Sequence, residues 1–241
     1  MNFKYIIKVI FVSLENQIYV RKSCRDYLDD EIDMDIIHEF MSTVKPLNEN
    51  ISYHYQILTP DEMKIRTRWS SPYYLALFSQ KKENYGENIG FVFQQLSLYL
   101  QSIGIGTCWV GMASLKNKDN DFVISISFGK SNNITRDSSS FKRKRLDEIS
   151  DFADEKLKPA QLAPSAINSQ PWYFKHDGDG FDVYQIKQNI LKRQILKKWN
   201  PIDMGIALAH LYVANEDTFE FYKKSGSEEI KGYSYTGSIK I

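Results

Sequence analysis

Apolar and polar residues along this 241-residue chain alternate between helical and extended spacing. The clearest helical spacing runs from Asn88 to Ile103, where apolar side chains recur every three or four residues until Gly104. Continuous or alternating apolar runs predict strands, two of which form a hairpin around a Gly- and Asp-rich turn. The predicted strands are Ile51–Thr59, Ser71–Ser79, Thr107–Gly111, Phe122–Phe128, Trp172–Lys175, Phe181–Ile186 and Tyr233–Ile241.

Two further segments predict helices. From Ile32 to Val44 the apolar side chains again follow helical spacing, and Asp29 and Asp30 precede them as N-cap candidates. Asn200 and the proline after it mark the start of another helix, which we expect to continue to Ala214. Strands interspersed with helices predict an α+β fold.

A degenerate repeat is visible in the same pattern. Pro164 precedes an aromatic strand, and Pro46 precedes another 118 residues earlier. Gly205, inside a predicted helix, has a counterpart in Gly90, 115 residues earlier and also inside a predicted helix. The similar offsets favour a duplication of one unit.

Composition narrows the function classes. The 31 basic and 30 acidic side chains leave a net charge of +1, so no overall basic field points to nucleic acid or to an anionic membrane. Two cysteines, Cys24 and Cys108, make no disulfide framework, and we expect reduced thiols in a cytoplasmic protein. The four His and two distant Cys form no cluster of metal ligands, so no metal is expected.

The segment Met1–Ser13 is apolar and slightly basic, like a signal peptide. Lys8 interrupts the run, no clear cleavage site follows, and the run is too short to span a bilayer. We favour an N-terminal helix that packs on the body of the protein, or an extension, over a cleaved signal.

The segment Leu162–Trp172 combines a proline-set turn, small side chains and amides. Ser165 and Ala166 are small enough for a planar ligand to approach the backbone. Asn168 and Gln170 lie at a spacing of two, so in an extended segment their donors and acceptors share one face. This combination suits the edge of a heteroaromatic ring, although an ordinary turn into a strand uses the same residue types.

A second candidate segment lies near the N-terminus. Arg21, Ser23 and Arg25 are also spaced by two, so in an extended segment they project to one side. Two guanidinium groups and a hydroxyl suit a phosphate, because arginine makes paired, charge-assisted hydrogen bonds to its oxygens. Solvated basic residues before a helix are the alternative.

Together these segments resemble the FMN-dependent nitroreductase family. Residues 163–172 resemble its flavin-contacting Ala-Pro-Ser-(small)-x-Asn-x-Gln-Pro-Trp motif, and residues 21–27 are similar to its Arg-Arg-Ser-x-Arg-x-(Phe/Tyr) motif, with Lys22 in place of the commoner Arg. Residues 88–111 are similar to the family's central helix and following strand. The resemblance extends from about Gln17 to the C-terminus.

The resemblance implies a nitroreductase-like fold with mixed, mostly antiparallel sheets and packed helices. Ordinary members are dimers with flavin at the interface, and this chain resembles a branch that fuses two units as a pseudo-dimer. The expected halves are residues 1–140 and 141–241, which together can also count as one domain, 14–241; the polar segment Lys130–Ser140 is the linker candidate. The first half keeps only the arginine motif and the second only the Pro-Ser motif, which implies one complete flavin site per chain.

The family pattern also implies roles for individual residues. Arg21 and Ser23 would hold the FMN phosphate, and Arg25 would stabilise the reduced ring. Val110 and Gly111 would approach the flavin or serve only packing, Gln170 would contact flavin or hold its turn, and Arg143 would add a phosphate ligand or belong to a solvated face. The expected cofactor-binding set is Arg21, Lys22, Ser23, Arg25, Val110, Gly111, Arg143, Pro164, Ser165, Ala166, Asn168 and Gln170.

The activity implied is that of an FMN-dependent oxidoreductase. It would pass hydride from NADH or NADPH through flavin N5 to a small electron-poor acceptor such as a nitroaromatic or quinone, and no catalytic side chain is required. A flavin-binding protein without turnover, serving as reservoir or sensor, is the alternative, and a structural relic is a third reading. Fusion of the two units leaves a monomer or a homodimer open, and we expect no nucleic-acid or membrane partner.

Overall fold

The computed structural model describes residues 14–187, 194 and 196–241, so the prediction for Met1–Ser13 lies outside the described residues. The helices are residues 14–20 (α1), Asp35–Met41 (α2), Tyr85–Ser102 (α3), Leu146–Ile149 (α4), Lys158–Leu162 (α5) and Asn200–Ala214 (α6). The strands are Tyr53–Leu58 (β1), Met63–Ile65 (β2), Tyr73–Ser79 (β3), Ile105–Val110 (β4), Ala113–Leu115 (β5), Phe122–Lys130 (β6), Trp172–Asp177 (β7), Gly180–Ile186 (β8), Glu220–Tyr222 (β9) and Tyr233–Lys240 (β10).

The strands form two larger antiparallel sheets and one small one. The first has the order β1-β3-β6-β4, the second β7-β8-β10-β9, and β2 pairs with β5. Helices α3 and α6 pack against each other, and one cluster of buried apolar side chains extends from Leu14 to Ile241. The predicted α+β fold with antiparallel sheets and packed helices is confirmed.

The two larger sheets repeat one topology. In each, two strands are followed by a long helix and then by two more strands, and the fourth strand lies between the second and the third. The sequence β1, β3, α3, β4, β6 thus corresponds to β7, β8, α6, β9, β10. The small sheet of β2 and β5 has no counterpart in this correspondence.

Helices α3 and α6 approach each other at backbone distance around two glycines. A Cβ atom on Gly90 would lie 2.1 Å from the carbonyl oxygen of Ile202, and one on Gly205 would lie 1.9 Å from that of Glu87. Each glycine therefore faces the residue three positions before the other glycine. A two-fold axis produces contacts of this reciprocal kind, and only a residue without a side chain fits there.

Most predicted elements are confirmed, with shifts at their ends. The long helix ends one residue earlier than predicted, and Gly104 follows with a φ of +88°, which favours glycine. Asp29 and Asp30 as N-caps of α2 were wrong, because the helix begins only at Asp35 and the side chain of Asp33 accepts the Asp35 N–H. The short strands β2, β5 and β9, of three residues each, were missed because no periodicity is visible over that length.

The polar linker candidate, residues 130–140, runs alongside the arginine-motif segment. Arg21 and Thr135 form an antiparallel bridge, the Lys22 N–H donates to the Ile134 carbonyl at 3.0 Å, and the Arg136 N–H donates to the Val20 carbonyl at 2.8 Å. Backbone hydrogen bonds therefore hold this polar segment against the body.

Candidate functional site

A cavity of about 430 Å³ lies where segments from both expected halves meet. Its walls come from the arginine-motif segment, the end of β4, the loop after α5 and the first turns of α6. Seven of the residues predicted to bind cofactor line it, namely Ser23, Arg25, Val110, Gly111, Pro164, Ser165 and Ala166. The fold thus brings together segments about 140 residues apart in the sequence.

The arginine-motif segment is extended and fixed against β4. Ser23 and Thr107 form a parallel bridge, and the Cys24 N–H donates to the Thr107 carbonyl at 2.9 Å. A Cβ atom on Gly106 would lie 2.7 Å from the Cys24 sulfur, so glycine permits this close approach. Arg21 and Ser23 share one side, as predicted from their spacing, and Arg21 Nη2 donates to Ser23 Oγ at 3.1 Å.

Behind Ser23 lies a cluster of three arginines. Arg21 is 2% exposed, and Arg136 Nε donates to the Arg21 carbonyl at 3.1 Å. Burial, together with the charges of Arg136 and Arg143, lowers the pKa of Arg21 to about 9. Among the described residues, none of the three has a carboxylate partner, and the buried Nε atoms of Arg21 and Arg143 lack a hydrogen-bond acceptor. The cluster therefore has the donors and charge to accept an anion.

The loop after α5 holds an unusual backbone conformation. Ile167, Asn168 and Gln170 all have left-handed φ angles, of +47°, +57° and +45°. For a β-branched residue such as Ile167 this conformation is strained. Ser165 Oγ accepts the Gln170 N–H at 2.9 Å, and Gln170 Oε1 accepts the Lys144 N–H at 2.8 Å. Gln170 is buried and holds this turn together rather than lining the cavity.

Asn168 and Arg143 bind each other beside the cavity rather than on its wall. Arg143 Nη1 donates to Asn168 Oδ1 at 2.7 Å, and its Nη2 donates to the Leu162 carbonyl at 3.2 Å. Burial, with a contribution from Arg136, lowers the pKa of Arg143 to about 10. The neighbouring Arg145 is exposed and pairs with a surface aspartate, so the basic run divides into a partly buried member and a solvated one.

Asp203, in the first turn of α6, anchors the loop from the cavity side. Its two carboxylate oxygens lie 3.0 and 3.1 Å from the Ala166 nitrogen, and the Ser169 hydroxyl donates to Oδ2 at 3.4 Å. Burial raises the pKa of this carboxyl well above its usual value, and the two hydrogen bonds act in the opposite direction. The first half has an equivalent hydrogen bond, in which Asn88 Oδ1 accepts the Asn48 N–H at 3.0 Å. Asn88 lies 115 residues before Asp203, and Asn48 lies 118 residues before Ala166.

A buried hydrogen-bond chain fixes the indole of Trp109 on the cavity wall. Trp109 Nε1 donates to Gln94 Oε1 at 2.9 Å, and Gln94 Nε2 lies 3.0 Å from His210 Nε2. Burial first, and then the charge of Arg21, lowers the pKa of His210 to about 3, so its ring is neutral. His210 Nδ1 then donates to the Pro159 carbonyl at 2.9 Å, and Nε2 accepts from Gln94. His210 therefore has a positioning role within the scaffold.

Five of the predicted cofactor-binding residues do not line the cavity: Arg21, Lys22, Arg143, Asn168 and Gln170. Lys22 lies on the opposite side of the extended segment and donates to Asn133 Oδ1 at 2.6 Å. Cys108 is buried and lines the cavity, and burial raises the pKa of its thiol.

Sequence reasoning missed most of the apolar wall. The missed residues include Trp69, Trp109, Met112, Ile167, Trp199 and Asp203. The aromatic side chains lie far apart in the sequence and carry no motif, so nothing distinguished them from core residues. Asp203 could have been singled out from the sequence, because the 115-residue offset of the repeat matches it with Asn88 and shows an acid in place of an amide.

Within the part of the chain that the structure describes, no group of three or more His, Cys, Asp or Glu side chains could hold a metal ion. No helix among residues 14–187, 194 and 196–241 is long and apolar enough to cross a membrane.

Comparison with protein families decides the relationship. The family model described as "Putative TM nitroreductase" matches residues 13–215, which is most of the chain. The chain belongs to this nitroreductase family. Family membership supports an oxidoreductase and agrees with the resemblance of the two cavity motifs. No curated protein matches the chain.

A solved structure of similar fold agrees with the family assignment. A "putative nitroreductase" from Thermotoga maritima shares 23% identity with a TM-score of 0.60, covering 95% of this chain and 91% of that one. A nitroreductase family protein from Clostridium difficile shares 14% identity with a TM-score of 0.44, covering 62% of this chain and 96% of the other. An FMN-dependent nitroreductase from the same species shares 17% identity with a TM-score of 0.41, covering 54% and 93%.

Proposed function

We propose that this nitroreductase-family chain is an FMN-dependent oxidoreductase made of two fused units, approximately residues 1–140 and 141–241, that build one flavin site between them. The observation that carries the proposal is the cavity itself. Ser23 and Arg25 of the first unit line it together with the loop from Pro164 to Ala166 of the second. The repeated sheet topology and the reciprocal contact of Gly90 and Gly205 support the fusion.

The residues around the cavity fit the two chemically different ends of FMN. Trp109 and Trp199 offer apolar faces for the isoalloxazine ring, and the small side chains of Ser165 and Ala166 allow it near the backbone. A Cβ on Gly111 would lie 3.0 Å from the Trp199 ring, so this glycine keeps the wall open to the indole. The arginine cluster behind Ser23 would accept the phosphate, which carries about −1.5 to −2 charge.

The protein's own residues would orient and tune the cofactor. FMN, when bound, would supply the redox centre through which NADH or NADPH reduces an electron-poor acceptor such as a nitroaromatic or a quinone. Arg25 lies exposed on the cavity wall, where its charge would stabilise negative charge on the reduced ring. The strained loop anchored by Asp203 would hold its small residues against the ring.

The proposal is tested with the purified protein loaded with FMN. Steady-state turnover is measured at varied NADPH or NADH with a nitroaromatic and, separately, with a quinone as acceptor. We expect parallel double-reciprocal lines, because the nucleotide leaves before the acceptor enters the same cavity. Bound FMN that neither nucleotide bleaches without oxygen would instead indicate a flavin reservoir or sensor. Failure to bind FMN at all would contradict both.

Assembly and location remain part of the proposal. Because the flavin site would be complete within one chain, a monomer suffices for activity, although a homodimer is compatible with it. We place the protein in the cytoplasm on the basis of its two free cysteines, both of which are buried. Size-exclusion chromatography with light scattering, with and without FMN, measures the assembly.

A further inference from the structure

The two halves use the same backbone hydrogen bond with different side chains. In the first half the amide oxygen of Asn88 accepts the Asn48 N–H at 3.0 Å. In the second half the carboxyl of Asp203 accepts the Ala166 N–H at 3.0 and 3.1 Å. An uncharged amide therefore suffices to anchor such a loop to the start of such a helix.

Of these two anchoring side chains, only the acid lies on the cavity wall. Asp203 is one of the cavity-lining residues, whereas Asn88 is fully buried in the scaffold. A carboxyl group differs from an amide of nearly the same shape in carrying an exchangeable proton and in its capacity for charge. Loop anchoring does not explain why a buried acid, costly to ionise, occupies this position.

We propose that Asp203 is the proton donor of the flavin cavity, delivering to the acceptor the proton that accompanies hydride. This inference rests on the proposed function and extends it to one residue. Its basis is the position of the carboxyl on the wall and the replacement of the same anchor by an amide in the other half.

The proton requirement follows from the balance of the reaction. A quinone that becomes a hydroquinone takes up two electrons and two hydrogens, and NAD(P)H supplies both electrons and one hydrogen as hydride. The remaining hydrogen is a proton. In the proposed step the O–H bond of the Asp203 carboxyl breaks and an O–H bond forms on a quinone oxygen, and the carboxylate then regains a proton from water.

The surroundings of the carboxyl favour its protonated form. Burial is the largest influence on the pKa of Asp203 and raises it, and no charged side chain contributes to it within the described residues. The other titratable groups on the cavity wall are Arg25, exposed at the wall, and Cys108, whose thiol is protonated because burial raises its pKa. Met112 and Ile167, 61% and 74% exposed, mark the open side from which water reaches the cavity.

The test compares wild type with Asp203→Asn, which copies the side chain found in the first half. Asp147→Asn, at an exposed carboxylate paired with Arg145, is the matched control. Quinone turnover is measured between pH 5 and 9 in water and in deuterium oxide. In parallel, infrared spectroscopy of the apoprotein at neutral pH records the carbonyl band of a protonated carboxyl.

We expect Asp203→Asn to bind FMN normally and to lose the protonated-carboxyl band. Quinone turnover should fall at least about tenfold, within the usual contribution of a positioned acid, with a changed pH profile and solvent isotope effect. Asp147→Asn should match wild type in every measurement.

Unchanged turnover of Asp203→Asn across the pH range would overturn the inference and leave the proposed function standing. So would a wild-type apoprotein without the carboxyl band. Inactive wild type would count against the proposed function itself. If Asp203→Asn fails to fold or to bind FMN, Asp203→Glu decides: a shifted carboxyl band with partial turnover supports the donor, and an unshifted band contradicts it.

Discussion

The two halves that we propose for this chain share a sheet topology but differ in the segments that they contribute to the cavity. Both contain the same order of strands around one long helix, and the helices meet through a reciprocal glycine contact. The arginine-motif segment is found in the sequence of the first half only. The strained loop with left-handed Ile167, Asn168 and Gln170 belongs to the second half and has no counterpart in the described part of the first. Matched positions therefore serve packing in one half and a cavity in the other.

The comparison distinguishes residues that the fold requires from residues that shape the cavity. The glycines at the helix contact are required on both sides, because either side chain would strike the opposite backbone. Among residues 14–187, 194 and 196–241 the strained loop occurs once, where small residues and a buried acid line the cavity. Strain of this kind is tolerated where it positions functional groups, and the left-handed φ angles of this loop lie beside the cavity residues Pro164, Ser165 and Ala166.

The largest effect on stability is expected at the contact of α3 with α6, where the halves are most alike. Gly90→Ala and Gly205→Ala should each lower the free energy of unfolding by about 3 kcal/mol, since the new methyl group would lie about 2 Å from a carbonyl oxygen. Urea denaturation measures the loss. Gly104→Ala is the comparison, because its Cβ would meet nothing within 4 Å and only the φ of +88° opposes it. Equal stability of Gly90→Ala and wild type would contradict the close contact.

The next largest effect is expected on FMN binding, through the arginine motif of the first half. Arg21→Met should weaken FMN binding by about 10- to 100-fold, as expected for loss of a charge-assisted hydrogen bond of about 1.5–3 kcal/mol. Binding of riboflavin, which lacks the phosphate, should change little. Fluorescence titration measures both affinities, and exposed Arg145→Gln is the control. Equal losses for FMN and riboflavin would show that Arg21 does not hold the phosphate.

Replacing Asn88 by the aspartate found at the matching position 203 should make the stability of the protein depend more strongly on pH. Asn88 is fully buried, so Asn88→Asp should carry a carboxyl whose folded pKa lies above its unfolded value. The variant should approach wild-type stability below about pH 4 and lose about 2 kcal/mol as the pH rises. Thermal unfolding from pH 4 to 8 measures this. A constant difference across that range would contradict a buried ionisable group.

The smallest loss of stability at neutral pH is expected from a substitution at His210. Its counterpart 115 residues earlier is Gln95, so His210→Gln copies the first half, at a cost of about 1 kcal/mol at pH 7. Burial lowers the pKa of His210 in the folded protein to about 3, below the unfolded value of about 6.5. The contribution of the neutral ring to the stability of the protein is therefore complete above about pH 6.5 and is lost as the pH falls towards 3. His210→Gln should lose less stability over that range. Parallel pH curves for the two proteins would refute a neutral buried His210.

The sequence predicted the elements with strong periodicity and the cavity segments with strong motifs. The helix α3 and the hairpin of β7 and β8 follow directly from apolar spacing and turn residues. The three-residue strand β9 and the start of α2 could not be predicted, because tertiary pairing and a local side-chain cap decide them. The placement of Gln170 and Arg143 off the wall depends on which neighbours they meet, which spacing does not encode.

We propose that each chain holds one flavin site, assembled from both halves. Titration of the apoprotein with FMN, followed by absorbance and isothermal calorimetry, measures the stoichiometry most directly. We expect one FMN bound per chain, and loss of that single site in Arg21→Met at the concentrations used. Two FMN molecules per chain, or none in the wild type, would contradict it.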